Sequence, residues 1–279
     1  RDRTLLLSIN NEINKQLTTG DLDVSRLQTY FSRQTYETDL VSASEFLAQG
    51  EPIPPTGPTL KFLPNLSGVT KGVYGVYLIA GMPGIGKSTL ADQMATDTLL
   101  SNPEYSVLKY DFENGRNVVL YRLVKNFGLE VARKIGKKFY IRESLRTLTR
   151  DLAVIKPPAI IIVDSIQKIG TRGNDDRRSG LDDWIHRFEE LKKEGYHVLL
   201  VSEINRASYT GDPALDCFKE TGALEYAADS AVVLQEADSG LLRLWIVKNR
   251  HYAFKGMLEL LTRSDRRELW FQEVDNNVF

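Results

Sequence analysis

The sequence predicts an α/β fold with a mostly parallel central sheet, and three observations support this prediction. From residue 74 onward, short apolar runs rich in β-branched residues alternate with stretches of helical periodicity. One such run, 74–80, leads into a glycine-rich turn at 81–89 and then into a helical pattern. Two other runs end in acidic residues, at the ends of strands where ligands bind in open parallel sheets. This alternation is typical of parallel strands joined by crossover helices.

The composition excludes several classes of site. Of the 279 residues, 42% are hydrophobic and 26% are charged, which is ordinary for a soluble globular protein. Because the net charge is −1, any nucleic-acid binding must depend on local basic patches. The single cysteine, Cys217, excludes an internal disulfide, and the three separated histidines lack metal-ligand spacing. No apolar run approaches the ~18 residues of a membrane span, and no secretory signal is visible. We therefore expect a cytoplasmic location (the host cytoplasm for a phage-encoded chain) and no membrane partner.

The first part of the chain predicts a helix followed by an irregular segment. Residues 4–17 carry one apolar face, which would pack either on its own domain or on a neighbouring subunit. Five prolines mark residues 18–68 as irregular, with a short helix at 42–47. We expect two domains, a linker region at 1–59 and a larger domain at 60–279. Because the first residue is Arg1 and not methionine, we also expect a longer parent protein.

The strands and helices of the larger domain follow from hydrophobic patterning. Strands are predicted at 74–80, 106–112, 158–164, 197–203, 230–236 and 242–248. Helices are predicted at 87–100, 116–127, 144–155 and 181–194. Two more apolar segments, 257–261 and 268–272, predict a C-terminal β-hairpin.

The glycine-rich turn fits the phosphate-binding pattern G-x-x-x-x-G-K-[ST] at every specified position. Glycines let the backbone N–H groups point inward, and the following helix adds a partial positive charge at its N-terminus. Lys87 would reach the β- and γ-phosphates of ATP, and the Ser88 hydroxyl would bind Mg²⁺. A strand-to-helix turn without a ligand is the alternative. The predicted nucleotide-binding residues are Gly81, Pro83, Gly84, Gly86, Lys87, Ser88 and Thr89.

Acidic residues at the ends of three predicted strands complete the expected site. Asp164 follows an apolar strand, where it would hold Mg²⁺ through water. Glu113 follows the strand at 106–112, and a carboxylate there would act as a general base on water or form a solvated acidic turn. Glu203 ends a third strand, where a polar residue could sense the γ-phosphate. These three residues, with Lys87 and Ser88, predict one catalytic centre.

From about residue 60 to the C-terminus, the chain resembles the RecA-like motor domain of DnaB-type hexameric replicative helicases. The resemblance implies a RecA-like P-loop NTPase core with a C-terminal β-hairpin, preceded by a linker helix at 4–17. It implies that Glu113 is the catalytic base and that Lys248 and Arg250 enter the ATP site of the neighbouring subunit. Glu203 departs from the family, which has glutamine at this position. The motifs that carry the resemblance are Gly81–Thr89, Asp111–Asn114, Ile162–Gln167, Ser202–Arg206, Glu220–Asp229 and Val247–Arg250.

The same resemblance implies single-stranded DNA, a homo-hexamer with ATP sites between subunits, and a role in DNA replication. The loops after the metal-binding strand and after Glu203 would line a central channel. An upstream primase or polymerase-like domain is a further expected partner. Two alternatives stay open, a strand-exchange or filament ATPase and a non-hydrolysing ATP-binding module for loading or assembly. The candidate DNA-binding residues are Lys168, Arg172, Arg177, Arg178 and Arg206.

Overall fold

A computed structural model describes residues 42–48, 55–169, 177–209, 211–218, 222–237, 241–262 and 271–274. Nine strands form one sheet within these residues. In chain order they are β1 Val76–Gly81, β2 Ser106–Asp111, β3 Phe139–Arg142, β4 Ala159–Asp164, β5 Tyr196–Glu203, β6 Ser230–Glu236, β7 Leu242–Asn249, β8 Gly256–Thr262 and β9 Phe271–Glu273. Their order across the sheet is β3-β2-β4-β5-β1-β6-β7-β8-β9. The first six of these strands are parallel, and β7, β8 and β9 continue the sheet in antiparallel pairs.

Helices accompany the sheet along the chain. They are α1 Ala43–Leu47, α2 Pro64–Thr70, α3 Lys87–Ser101, α4 Gly115–Phe127, α5 Leu129–Ile135, α6 Leu148–Val154, α7 Arg177–Lys193 and α8 Gly222–Ala227. The chain divides into two units, Arg1–Pro54 and Pro55–Phe279. Helix α1 belongs to the first unit, and every other element described here belongs to the second. None of the described helices combines the length and the apolarity needed to cross a membrane.

The parallel strands are apolar on both faces because helices cover both faces of the sheet. All six residues of β1 are buried, and so are all six of β4. Along β1 the side chains alternate between two clusters, so that Tyr77 and Ile79 pack with α3 while Leu78 packs on the side of α7. This double burial explains why the predicted strands are near-continuous apolar runs.

The predicted fold class is confirmed, and the differences in single elements are small. The prediction missed α2, α5, α8 and β3, and α2 lies in the stretch that the prolines marked as irregular. The helix predicted at 144–155 is a 3₁₀ turn at Leu145–Thr147 followed by α6. Helix α7 begins at Arg177, before the predicted start at 181, so Gly180 lies inside it. The predicted helix at 4–17 lies outside the described residues.

Candidate nucleotide-binding site

The phosphate-binding loop lies between the end of β1 and the start of α3, at the carboxyl edge of the parallel sheet. Its conformation depends on glycine, because Gly84 and Gly86 have φ values of +81° and +103°. A Cβ atom on Gly86 would also lie 2.9 Å from the ring of Phe271 in β9. The loop therefore has both a backbone and a packing requirement for Gly86.

Beside this loop is a cavity of about 240 Å³ that brings together most of the predicted site. Predicted residues from the ends of four strands, β1, β2, β4 and β5, meet here, although they are far apart in sequence. Three cavity residues were not predicted as site residues, Arg122 of α4, Ser165 after β4 and Val201 of β5. Gly81 belongs to the loop but does not line this cavity. The lining residues are Pro83, Gly84, Gly86, Lys87, Ser88, Thr89, Glu113, Arg122, Asp164, Ser165, Val201 and Glu203.

Lys87 and Ser88 begin α3 and face the acidic strand ends. The Lys87 ammonium donates a hydrogen bond to the Met82 carbonyl at 2.9 Å, within the loop itself. Burial lowers the pKa of Lys87, and the carboxylates of Glu203, Asp164 and Glu113 oppose this shift. The Ser88 hydroxyl donates to Oδ1 of Asp164 at 3.0 Å. The basic and acidic parts of the cavity are therefore in direct electrostatic contact.

Glu113 lies in the turn between β2 and α4, and two contacts fix it there. The Ser165 hydroxyl donates to Oε1 of Glu113 at 2.8 Å. The carboxylate of Asp111 accepts the backbone N–H groups of Glu113 and Asn114, at 3.2 and 2.7 Å. Asp111 thus shapes the turn from within, while the Glu113 side chain points to the end of β4. A carboxylate held in this way, close to the phosphate-binding loop, has the geometry of a general base.

Beneath the cavity lies a buried group of charges that the sequence did not predict. Lys109, in the middle of β2, is fully buried between apolar neighbours. Its ammonium lies 2.6 Å from Oδ1 of Asp92 in α3 and 2.9 Å from Oδ2 of Asp164. Burial opposes the charge on Lys109, but Asp92 and Asp164 outweigh it and raise the pKa of Lys109. The sequence contains two signals of this group. One is a lysine inside an apolar strand, and the other is an aspartate inside the helix that follows the loop.

Lys248 and Arg250 do not line the cavity of their own chain. Asn249 between them pairs with Ser230 at the start of β6, whereas Gly81 pairs with Leu234 near its end. At about 3.3 Å per residue, this register separates the two positions by roughly 13 Å along the sheet. Lys248 donates to carbonyls at the end of α8, and Arg250 Nη1 lies 3.4 Å from Oδ1 of Asp229. Both cations therefore lie at the amino-terminal ends of the parallel strands, whereas the phosphate-binding loop lies at their carboxyl ends.

The candidate DNA-binding residues are only partly described. Lys168 ends a 3₁₀ turn after β4, and Arg206 begins another after β5, and both are exposed. Both follow strand ends on the same edge of the sheet as the cavity. Arg177 and Arg178 are the first two residues of α7. Arg172 lies outside the described residues.

Comparison with known proteins now identifies the family. A family model described as an AAA domain matches residues 59–208, which is more than half of the chain. The chain belongs to the AAA domain family. Among solved structures, a DnaB-like replicative helicase, studied with its interactions with primase, is similar with a TM-score of 0.69 and 18% identity, over 98% of this chain and 76% of that one. A second solved structure, described as an ATPase domain, is similar with a TM-score of 0.64 and 17% identity, over 91% of this chain and 100% of that one. No curated protein matches the sequence.

The likeness to these structures confirms the predicted fold, so this AAA domain shares the fold of the two solved structures. Its cavity also fits a magnesium ion. Mg²⁺ prefers oxygen ligands, and adjacent ligands in its octahedral shell lie about 2.9 Å apart. The Ser88 hydroxyl and the Asp164 carboxylate are such ligands and lie 3.0 Å apart. Ser88 and Asp164 are therefore the residues that could hold the ion, directly or through water.

Proposed function

We propose that this AAA domain is the motor of an ATP-dependent DNA helicase, a hexameric ring that translocates on single-stranded DNA in replication. The proposed motor spans 60–279, with 1–59 as a linker region, and acts in the cytoplasm. One observation carries the proposal. The cavity brings together Lys87, Ser88, Glu113 and Asp164, while Lys248 and Arg250 lie at the other end of the parallel strands. Arg122 also lines the cavity, but its guanidinium is paired with Asp92 and Asp111. An arginine for the phosphates can therefore come from a neighbouring subunit.

In the proposed reaction, the phosphate-binding loop and Lys87 bind and orient the triphosphate of ATP. Mg²⁺ at Ser88 and Asp164 would neutralise charge on the phosphates. Glu113 accepts a proton from the attacking water, while the Ser165 hydroxyl keeps the Glu113 carboxylate in place. Arg250 and Lys248 of the neighbouring subunit stabilise the charge that develops on the transferred phosphoryl group.

The proposed coupling of ATP hydrolysis to DNA movement depends on residues at and after the ends of β4 and β5. Glu203 pairs with Gly81 in the register of β5 and β1, so it is next to the start of the phosphate-binding loop. Its carboxylate would respond to the charge of the γ-phosphate, and the 3₁₀ turn that starts at Arg206 follows three residues later. Arg206 and Lys168 would contact DNA phosphates, together with Arg172, Arg177 and Arg178. Such contacts are independent of sequence and weaken as salt rises.

A mixing experiment tests whether the arginine acts between subunits. Lys87→Ala removes the phosphate-binding lysine, and Arg250→Ala removes the arginine, so each variant alone should lose ATPase activity. In a heterologous ring assembled from equal amounts of both, about one quarter of the interfaces combine an intact loop with an intact arginine. Recovery of activity on mixing supports the proposal. No recovery in mixed rings of confirmed composition would show that Arg250 serves its own chain or none.

Mass photometry with and without ATP and single-stranded DNA, combined with ATPase assays, separates the alternatives. A nucleotide-promoted hexamer whose turnover rises with DNA, and whose turnover is abolished by Glu113→Gln, is the expected result. Open filaments of variable length would favour the strand-exchange alternative. Binding of ATP without turnover in an assembled ring would favour the loading or assembly module, for which the carboxylate of Glu203 in the cavity is the supporting feature.

A further inference from the structure

The buried charges beneath the cavity form one connected cluster, defined here as the β2 ion cluster. Two cations and three carboxylates contribute, so its formal charge is −1. Lys109 contacts all three carboxylates, with Asp111 at 3.5 Å in addition to the two closer ones. Arg122 contacts Asp92 at 3.0 Å and Asp111 at 3.4 Å. The members of the β2 ion cluster are Asp92, Lys109, Asp111, Arg122 and Asp164.

Stability alone does not account for a lysine at this position. Replacing buried ion pairs by well-packed apolar residues is often neutral or stabilising, because removing charges from water is costly. The neighbouring residue Val107, on the same face of β2, packs with Ile160 and Ile162 in the core. An apolar side chain at position 109 would continue this core. The ion cluster therefore calls for an explanation in the site that it adjoins.

The Asp164 carboxylate has one contact at the cavity and one contact within the β2 ion cluster. Its Oδ1 accepts the Ser88 hydroxyl at the cavity, while its buried Oδ2 lies 2.9 Å from the Lys109 ammonium. Lys109 is fixed in turn by Asp92, which lies four residues after Ser88 and so on the same side of α3. The side-chain contacts thus run from Ser88 to Asp164, Lys109 and Asp92, and this series begins and ends on α3.

We propose that Lys109 is a positioning residue, which fixes the orientation of the Asp164 carboxylate so that Oδ1 faces Ser88 and the metal. This inference rests on the proposed function, because it assigns Asp164 to Mg²⁺. Lys109 is fully buried and does not line the cavity, so its effect on the site would pass through Asp164. Residues that orient metal ligands in this way commonly change metal affinity or activity by about 10–100-fold when they are replaced.

The double variant Lys109→Met with Asp92→Asn tests the role without changing the charge of the site. It removes one cation and one carboxylate, so the cluster keeps its formal charge of −1. Arg122 keeps the carboxylate of Asp111, and the amide oxygen introduced at position 92 can still accept its hydrogen bond. The affinity for a fluorescent ADP analogue is measured in EDTA and then across a magnesium titration. We expect the affinity in EDTA to stay within about twofold, and the magnesium midpoint to rise about 10-fold. Tyr110→Phe is the matched control, since Tyr110 is on the other face of β2 and bonds Asp151.

Each outcome decides between the roles. A folded double variant with an unchanged magnesium midpoint would overturn the positioning role, as would an equal loss of affinity in EDTA, which indicates a structural role. If the double variant does not fold, Lys109→Gln gives the answer, because it makes the cluster more negative. Electrostatics alone then predicts a lower magnesium midpoint, whereas loss of positioning predicts a higher one. Wild-type protein whose nucleotide affinity does not respond to magnesium would instead contradict the proposed function, and the role of Lys109 with it.

Discussion

Gln93 holds the last described strand against the nucleotide-binding helix, and its replacement gives a sharp test of the fold. The side chain is fully buried in α3. Its amide nitrogen donates to the Phe271 carbonyl at 2.8 Å, and its amide oxygen accepts the Phe271 N–H at 2.8 Å. Gln93→Leu keeps the approximate size of the side chain but leaves both backbone groups without this partner.

The expected loss follows from those two groups. A buried backbone donor or acceptor left unsatisfied costs about 1–3 kcal/mol, and the added apolar surface of leucine returns about 1 kcal/mol. We therefore expect Gln93→Leu to lower the free energy of unfolding by about 3 kcal/mol. For a domain of this size, that corresponds to a fall in Tm of about 6–12 °C.

Urea unfolding followed by tryptophan fluorescence and circular dichroism measures this loss. Thr96→Val is the matched control, because Thr96 is equally buried in the same helix and its hydroxyl donates to the Asp92 carbonyl within that helix. The control should cost about 1 kcal/mol or less. A Gln93→Leu variant no less stable than Thr96→Val would show that the bidentate contact does not hold β9 in solution.

Two further predictions concern a histidine and the phosphate-binding loop. Burial lowers the pKa of His197 to about 4, below its ordinary value of 6.5, so the folded protein disfavours the proton that the unfolded chain accepts. The contribution of His197 to the free energy of unfolding is therefore present above pH 6.5 and is lost as the pH falls towards 4. The loss between pH 7 and pH 5 should be on the order of 2 kcal/mol. Urea unfolding at both pH values measures it, and the fall in stability should be smaller in His197→Asn. Gly86→Ala should destabilise the protein more than Gly84→Ala, by about 1–2 kcal/mol, because only the first methyl group meets Phe271, at 2.9 Å. Thermal unfolding of the two variants compares them directly, and equal losses would mean that backbone strain alone sets the requirement.

The parts of the fold that the sequence predicts well are those set by local pattern. β1, β2, β4, β5, β6 and β7 are apolar runs bounded by polar turns, and their predicted limits agree with the structure within about two residues. The phosphate-binding loop is equally local, because its glycines and Lys87 are consecutive. In contrast, β3 is a four-residue strand at the edge of the sheet, in which Phe139 is buried, Ile141 is half-buried and the other two side chains are exposed. So short a segment carries too little periodicity to be distinguished from a loop.

The site also has a part that the sequence predicts and a part that depends on packing. Residues at strand ends could be predicted to meet because parallel strands bring their carboxyl ends together, and Lys87, Ser88, Glu113, Asp164 and Glu203 do line one cavity. The pairing of Lys109 with Asp92 could not be predicted. It depends on which face of β2 turns towards α3, and the two residues are separated by the rest of α3 and a loop. The sequence indicates which residues lie at the carboxyl ends of the strands. The contacts between buried charges below those ends depend on packing.

A series of contacts connects the two ends of the parallel strands, and it suggests how the proposed ring would transmit a change between sites. Asp229 immediately precedes β6 and accepts the N–H of Val76 at the start of β1, at 2.9 Å. The same buried carboxylate contacts Arg250 at 3.4 Å and His251 at 3.0 Å. β1 then runs from this carboxylate to the phosphate-binding loop at its other end. Hydrogen-bonded strands that are buried on both faces deform little, so a shift of the loop would be passed along β1 to the turn that carries Arg250. In the proposed ring, where Arg250 enters a neighbour's site, this connection would report the nucleotide state of one subunit to the next.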